Sequence, residues 1–506
     1  LDVKDKIFLG SALEVLKTFP DNCVDMCITS SPYYGQRFYG ADTNTIWGGD
    51  KDCQHNWDFY VQEEKFIEEG REVLGGKQLD IAFSRGNKNG FCTKCNAWYG
   101  NLGNEPTPGL FIQHLIEIYN EVKRVLKPTG LFYCNIGDSS CGSQSGYGLK
   151  IPNPKSIQSP MMGYSAASVM KPVTATCAGA EIWLKPKQLM LIPSRLAIAM
   201  QEDDSSDIYE LREDLNKEEK EQVMDWLQRR NIHVQLRKCD IPQNMLKFFK
   251  LKEKGKPWIL RRDIIWWKKS ALPTQVLDNF GSEYEHIFMF SKEPYYYFDT
   301  SKARRPYAAV SIQRQKYAVT RFGADGQVKC SGPDKDENAV PCFIEPNPKG
   351  ALKGDVWRLG TANTKYKHTA AYSEELVESC LLPGCAKEVC VKCGKPKIER
   401  YKMVVREMDD LSLSEKLKYK KIQEMKLNEE LKAKILIKLQ RKKISLGFLP
   451  TCKCEDTSFE PGIVLDPFSG TGTSVVVAKK HGYHYCGIEM NKEYFNIIET
   501  RIKEML

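Results

Sequence analysis

Apolar runs and helical periodicities alternate along this chain. Residues 6–10 (KIFLG) and 24–30 (VDMCITS) are short apolar runs with polar borders, the pattern of buried strands. Between them, residues 12–19 (ALEVLKTF) carry apolar positions at helical spacing. The alternation returns at residues 110–126 (LFIQHLIEIYNEVKRVL), which predict a helix. Lys127-Pro128-Thr129-Gly130 then breaks it before a strand at 131–139 (LFYCNIGDS). Residues 185–201 read as a helix, 258–269 and 283–292 as strands, and 372–382 as a helix. Residues 462–502 form an unbroken β-α-β-α pattern. There is no internal repeat. Such alternation predicts an α/β fold around a mostly parallel sheet.

Five stretches interrupt it. Residues 41–105 are polar, with Cys, His and Trp. Residues 141–180, rich in Ser, Gly, Pro and Met, predict a mobile loop. Residues 202–256 are highly charged and read as helical. Residues 299–355 are basic, irregular and rich in Gly and Pro. Residues 386–455 place a charged helical pair between two cysteine pairs.

Composition narrows the class. The 506 residues are 42% hydrophobic and 27% charged, as in a globular protein. No apolar run is long enough to span a membrane and the first residues lack a secretion signal, so a cytoplasmic protein without membrane contact is expected. The net charge of +9 suits a polyanionic partner, although many lysines lie in two segments where they would only solvate a helix face. With 18 cysteines in a long chain of this kind, metal sites are favoured over disulfides.

Two stretches carry candidate chemistry. In residues 462–490 a strand ends on Asp466. A loop with Gly470 and Gly472 follows, then a helix, then a second strand ending on Glu489. Glycines let a backbone pass close to a ligand, and the acid is spaced to accept ribose hydroxyls. The third glycine of the dinucleotide fingerprint and the Lys of a phosphate loop are both missing, so a nucleoside-type cofactor is expected. The other stretch is CITSSPYYGQRFYG, residues 27–40, where an apolar strand stops on Thr29-Ser30-Ser31-Pro32-Tyr33. Small polar groups and flat rings there serve a ligand better than they serve packing.

Together these stretches resemble the S-adenosylmethionine-dependent DNA methyltransferases that act on exocyclic amines, in the motif order of their beta group. VLDPFSGTGT resembles the family's cofactor motif and TSSPYYGQRFYG its Ser-Pro-Pro-Tyr catalytic motif. Residues 121–139, 261–269, 283–292, 355–361 and 367–385 extend the likeness over most of the chain. The resemblance implies a Rossmann-like methyltransferase sheet with a circularly permuted motif order and with zinc-bearing and helical insertions. The catalytic domain would be assembled from residues 1–40, 106–201, 257–298, 356–385 and 456–506. A zinc-binding insertion would fall at 41–105, a helical one at 202–256, target recognition at 299–355 and a zinc-closed helical excursion at 386–455.

By the same resemblance, Ser30, Ser31, Pro32 and Tyr33 would be catalytic. Asp466, Pro467, Phe468, Gly470, Thr471, Gly472, Thr473, Glu489 and His368 would bind the cofactor. The lone pair of a nucleobase amine is delocalised into the ring. Two acceptors, the Ser30 hydroxyl and the Ser31 carbonyl, would take its N–H bonds while the flipped base stacks on Tyr33. Ser at the first motif position points to cytosine N4 ahead of adenine N6. Ser31 replaces a Pro, and Gly10-Ser11 replaces a Gly-Asp associated with the adenine contact. Double-stranded DNA is the implied partner, with a cognate restriction endonuclease as a possible second. Arg304, Arg305, Arg314, Lys316 and Arg321, interleaved with Tyr307 and Tyr317, are candidate DNA contacts, against a solvated loop.

Four thiolates from Cys390, Cys393, Cys452 and Cys454 suit tetrahedral structural zinc, as do Cys53, His55, Cys92 and Cys95. Neither set has the Glu after His that a zinc deaminase requires. Pro341-Cys342 could mark a cytosine-C5 nucleophile, but lies far from any predicted strand end. Three smaller readings stay open. Residues 368–376 form either a cofactor contact or an ordinary helix start capped by Ser373. Asp138 is either near the target base or a turn residue. Of Trp266 and Trp267, one ring must point away from the other. The rivals are an inactive zinc-bearing nucleic-acid-binding protein and, opposed by the missing glycine, a nicotinamide oxidoreductase.

Overall fold

The structure is a computed structural model. It describes residues 2–35, 43–50, 52–61, 88–141, 187–203, 208–229, 236–237, 245–253, 255–271, 279–316, 319–322, 328–331, 347, 349–361, 372–424 and 429–505. His368, Pro341-Cys342, Tyr317 and nearly all of the loop predicted at 141–180 lie outside these residues. Two compact units divide the chain: residues 1–296, 355–381 and 462–506, and residues 297–354 and 382–461.

The first unit is built on eight strands: β1 (Lys6–Leu9), β2 (Val24–Ser30), β3 (Leu126–Ile136), β4 (Ile259–Lys268), β5 (Tyr284–Ser291), β6 (Val356–Leu359), β7 (Ile463–Asp466) and β8 (His484–Glu489). Their order across the sheet is β1-β8-β7-β2-β3-β5-β4-β6. The five strands from β1 to β3 run parallel, β5 is antiparallel to both its neighbours, and β4 pairs parallel with β6. The last two strands of the chain thus lie between its first two. This sets Ser30 and Asp466, at the ends of β2 and β7, on the carboxyl edge of one sheet.

Among the described residues six helices accompany the sheet: α1 (Ala12–Lys17), α2 (Pro108–Val125), α3 (Ile192–Glu202), α4 (Glu374–Gly384), α5 (Thr473–Lys480) and α6 (Lys492–Lys503). Helix α2 starts where Thr107 accepts from the Leu110 N–H with Pro108 at the first turn, and it buries Phe111, Leu115, Ile118, Tyr119 and Val122. Helix α3 begins only at Ile192, because Leu191 takes a left-handed φ of 56° and Leu189 bridges Ser140 instead. Trp266 is buried and Trp267 is 39% exposed, the opposition a strand dictates.

The helical reading of residues 202–256 needs correction. The described residues there include the α-helix Lys217–Arg229, but Ile208–Leu211 pairs antiparallel with both Leu236–Arg237 and Phe249–Glu253. Leu215, Val223, Met245, Phe248 and Phe249 make a small separate core there. Charge density along the sequence hid this alternation. Residues 41–105 contain a four-stranded antiparallel sheet. In the second unit the helices Leu413–Glu424 and Glu429–Gln440 stand on a β-ribbon of Lys397–Val405 and Arg441–Pro450.

Candidate functional site

The carboxyl ends of β1, β2, β7 and β8 open into a cleft of about 1130 Å³, its mouth included. Ser30, Ser31, Pro32 and Tyr33 form one wall, and Pro467, Phe468, Gly470, Thr471 and Thr473 form another. Glu489, Gly10 and Ser11 also line it.

Asp466 is not a wall residue. It is 1% exposed, and its carboxylate accepts from the Thr29 hydroxyl (2.6 Å), the Ser474 hydroxyl (2.6 Å), the Tyr372 phenol (3.0 Å) and the Phe468 N–H (3.1 Å). Burial pushes its carboxyl above the usual aspartate range, while these donors pull it down. Asp466 therefore ties β2, β7, α5 and the residue two positions before α4 together beneath the loop. Gly472 adopts φ 79°, and a Cβ there would lie 2.9 Å from the Ile498 side chain. Glu489 accepts from the Gly470 N–H and the Asn491 N–H, each at 2.7 Å. Burial pushes its carboxyl up to about 7.

At the other wall, Ser30 pairs in register with Asn135 of β3. The Tyr33 phenol oxygen lies 2.6 Å from Glu285 Oε2, 3.0 Å from Asn135 Oδ1 and 3.4 Å from Ser30 Oγ. Its ring packs so closely on Gly137 that a Cβ there would come within 2.7 Å of it. Behind this loop, the fully buried Glu105 accepts from the Gly103 N–H (2.7 Å) and pairs with His114 (3.0 Å). Trp47 and Trp98 stack against His114 with centroids 4.5 and 5.4 Å away. The Tyr34 hydroxyl donates to the Glu105 carbonyl (3.2 Å).

Sequence reasoning missed Glu105, His114, Asn135 and Glu285, whereas Tyr372, which lines the cleft, falls in the 368–376 segment it raised as a cofactor contact. The Tyr33–Glu285 contact spans 252 residues and the Glu105–His114 pair nine, and neither spacing matches a local motif. Asp138 proves to be a turn and cap residue: it accepts from the Ser139 N–H (2.8 Å) and from the first N–H of α3 at Ile192 (3.0 Å). Ser373 stands where the α4 start was expected, but its hydroxyl caps nothing. Arg304 donates to the Gly350 carbonyl, on a short strand paired with Ala351–Leu352, and Arg305 is exposed. The side chains of Arg314, Lys316 and Arg321 lie outside the described part, as does His368.

Both cysteine sets converge. The ligand atoms of Cys53, His55, Cys92 and Cys95 all lie within 4.8 Å of one another, and so do those of Cys390, Cys393, Cys452 and Cys454. The two turns share one construction. The N–H of Asn96 (φ 58°) donates to the Cys92 carbonyl, and that of Gly394 (φ 70°) to the Cys390 carbonyl. The first cysteine's N–H reaches the carbonyl five residues on, at Ala97 or Lys395. Left-handed residues after each second cysteine turn both thiols to one side.

A mostly parallel sheet with a glycine loop and a hydroxyl-bearing strand end facing one cleft is a ligand-binding α/β architecture. The chain belongs to the DNA methylase family of N6 and N4 methyltransferases, whose family model matches residues 24–392 and 453–500. It is a DNA methyltransferase. It is 22% identical to the Type II methyltransferase M.XycI of Xanthomonas campestris pv. cyanopsidis, over 98% of this chain and 87% of that protein. It is 21% identical to the Type II methyltransferase M.Cfr9I of Citrobacter freundii, with the same coverage. Among solved structures, a PvuII DNA methyltransferase described as cytosine-N4-specific aligns with 98% of this chain and 85% of its own, at 11% identity and a TM-score of 0.37. Among the described residues no helix is long and apolar enough to cross a membrane.

Proposed function

We propose that this chain moves a methyl group from S-adenosylmethionine to the exocyclic N4 amine of cytosine at a specific site in double-stranded DNA. One observation carries this reading: the Ser30-Ser31-Pro32-Tyr33 strand end and the glycine loop face each other across one cleft. The donor set suits the cofactor. Glu489 would accept its ribose hydroxyls, the backbone around Gly470 and Gly472 would pass close to it, and Gly10-Ser11 would meet its adenine end. When bound, S-adenosylmethionine supplies a sulfonium-activated methyl group. Asp466 keeps the loop in register with β2, and Tyr33 offers a ring to the flipped base. The Ser30 hydroxyl and Ser31 carbonyl accept the amine's N–H bonds, which frees its lone pair. Such transfer calls for positioning and no covalent nucleophile.

Arg305, Arg314, Lys316 and Arg321 are our candidate DNA contacts. Arg304, whose guanidinium also serves Gly350, is a weaker one. The Type II names of the relatives support a site-specific enzyme working beside a cognate restriction endonuclease. We propose structural zinc at both cysteine sets, since each supplies four protein ligands and no open position. Metal analysis of the purified chain should find two zinc ions.

The decisive experiment supplies mixed-sequence duplex DNA and methyl-labelled S-adenosylmethionine, digests the DNA to nucleosides and identifies the labelled base by mass. N4-methylcytosine is expected. N6-methyladenine would overturn the base assignment and leave the family untouched.

A further inference from the structure

A serine hydroxyl can donate or accept, whereas the amine it must receive only donates at its N–H bonds. Ser30 therefore works only if its own proton points away from the cleft. A carboxylate at this position would have no such ambiguity.

The surroundings of Ser30 supply the direction. Its Oγ is 3.4 Å from the Tyr33 phenol oxygen, which is 2.6 Å from Glu285 Oε2. An ionised carboxylate accepts and never donates, so the phenol's single proton goes to Glu285. The phenol oxygen is then an acceptor for the Ser30 hydroxyl. The other Glu285 oxygen is held by Lys268 of the neighbouring strand β4. Asn135 donates to Glu285 Oε2 and to the His286 carbonyl, each at 3.1 Å, which fixes its amide with Oδ1 toward Tyr33. The adjacent strands β2, β3 and β5, with β4 behind them, thus hold one hydrogen-bonded chain.

We infer that Glu285 is a positioning residue that makes Ser30 an acceptor: the order Ser30 to Tyr33 to Glu285 turns the serine's lone pairs into the cleft. Its negative charge, two hydrogen bonds behind Ser30, polarises the chain and strengthens that acceptor. The arrangement gives a neutral serine part of what a carboxylate would offer directly. The inference rests on the reading of Ser30 given above, and concerns what stands behind it.

The test is a double-mutant cycle on single-turnover methyl transfer, with cofactor affinity and thermal unfolding measured alongside. Glu285→Gln should slow transfer by about 10- to 100-fold, less than the loss of a preorganised donor that touches the reacting group directly, with the cofactor Kd within about twofold of the wild type. Tyr33→Phe should slow transfer similarly, and Glu285→Gln added to Tyr33→Phe should cost nothing more, because Glu285 acts through the phenol. Ser30→Asp should likewise remove the sensitivity to Glu285→Gln.

Equal slowing by Glu285→Gln with and without the phenol would overturn the inference and leave a merely structural role. Unchanged transfer by Glu285→Gln would overturn it as well. If Glu285→Gln does not fold, Tyr33→Phe in the Ser30→Asp background decides: no added slowing supports the chain, and full slowing sinks it. Ser30→Ala with undiminished transfer would instead defeat the acceptor reading of Ser30 itself.

Discussion

Two acids of the glycine-loop region have opposite fates. Asp466 turns inward, and three hydroxyls and one N–H converge on its buried carboxylate. An amide at that position offers one good acceptor oxygen and two unwanted donors. Asp466→Asn should therefore destabilise the fold by about 2–3 kcal/mol, read by chemical denaturation, and weaken cofactor binding through the displaced loop. Glu489 faces the cleft, and burial raises its carboxyl to about 7. The unfolded chain ionises this group first, so the free protein loses stability as pH climbs from the ordinary glutamate range through about 7. Ribose hydroxyls need the ionised form. Cofactor affinity should consequently fall by roughly tenfold between pH 8 and pH 6, with proton release on binding visible by calorimetry in buffers of different ionisation enthalpy. Glu489→Gln should bind weakly and flatten that dependence.

At the scale of elements, the turn between β7 and α5 is the most constrained. Gly472 combines a left-handed φ with a Cβ position 2.9 Å from Ile498 of α6. Gly472→Ala should cost about 1–2 kcal/mol from backbone conformation alone. The Ile498 contact adds to this, with cofactor affinity falling before the fold does. Thermal melts with and without cofactor would separate the two effects. This turn was legible in the sequence because its glycines, its strand and its helix are neighbours in the chain. The Ser30-Ser31-Pro32-Tyr33 strand end was legible for the same reason, as were the two cysteine sets. The relay to Glu285 was not, since hydrogen bonds between distant strands leave no periodicity, nor was the Glu105–His114 pair, a loop carboxylate and a helix imidazole whose nine-residue spacing matches no motif. The three-stranded sheet in residues 208–253 also escaped: short strands with lysine and glutamate on their open face resemble a solvated helix when only charge is counted.

The molecule's charge is unevenly shared. Residues 397–450 hold 15 lysines and arginines against 8 acids, which is +7 of the chain's +9. The family match leaves out 393–452, so this excursion is an addition to the shared fold. The structure makes it a firm element. Arg406 joins Glu415 by two hydrogen bonds and also reaches the Leu439 and Gln440 carbonyls, which locks the ribbon to both helices around Ile422, Ile435 and Leu439. Arg441, Lys442 and Lys443 are exposed on one ribbon strand, with Arg400 and Lys402 exposed on the other. Duplex DNA gathers such exposed cations by releasing its own counterions. Each phosphate neutralised adds about 0.9 to the slope of log affinity against log salt. Replacing Arg441, Lys442 and Lys443 by serine should reduce that slope by about 2 to 3. Affinity should drop alike for specific and unrelated duplexes, while cofactor binding stays unchanged because the cleft is built from other residues. An unaltered slope would mean that these lysines only solvate the excursion, and that DNA is held by the fold shared with the rest of the family.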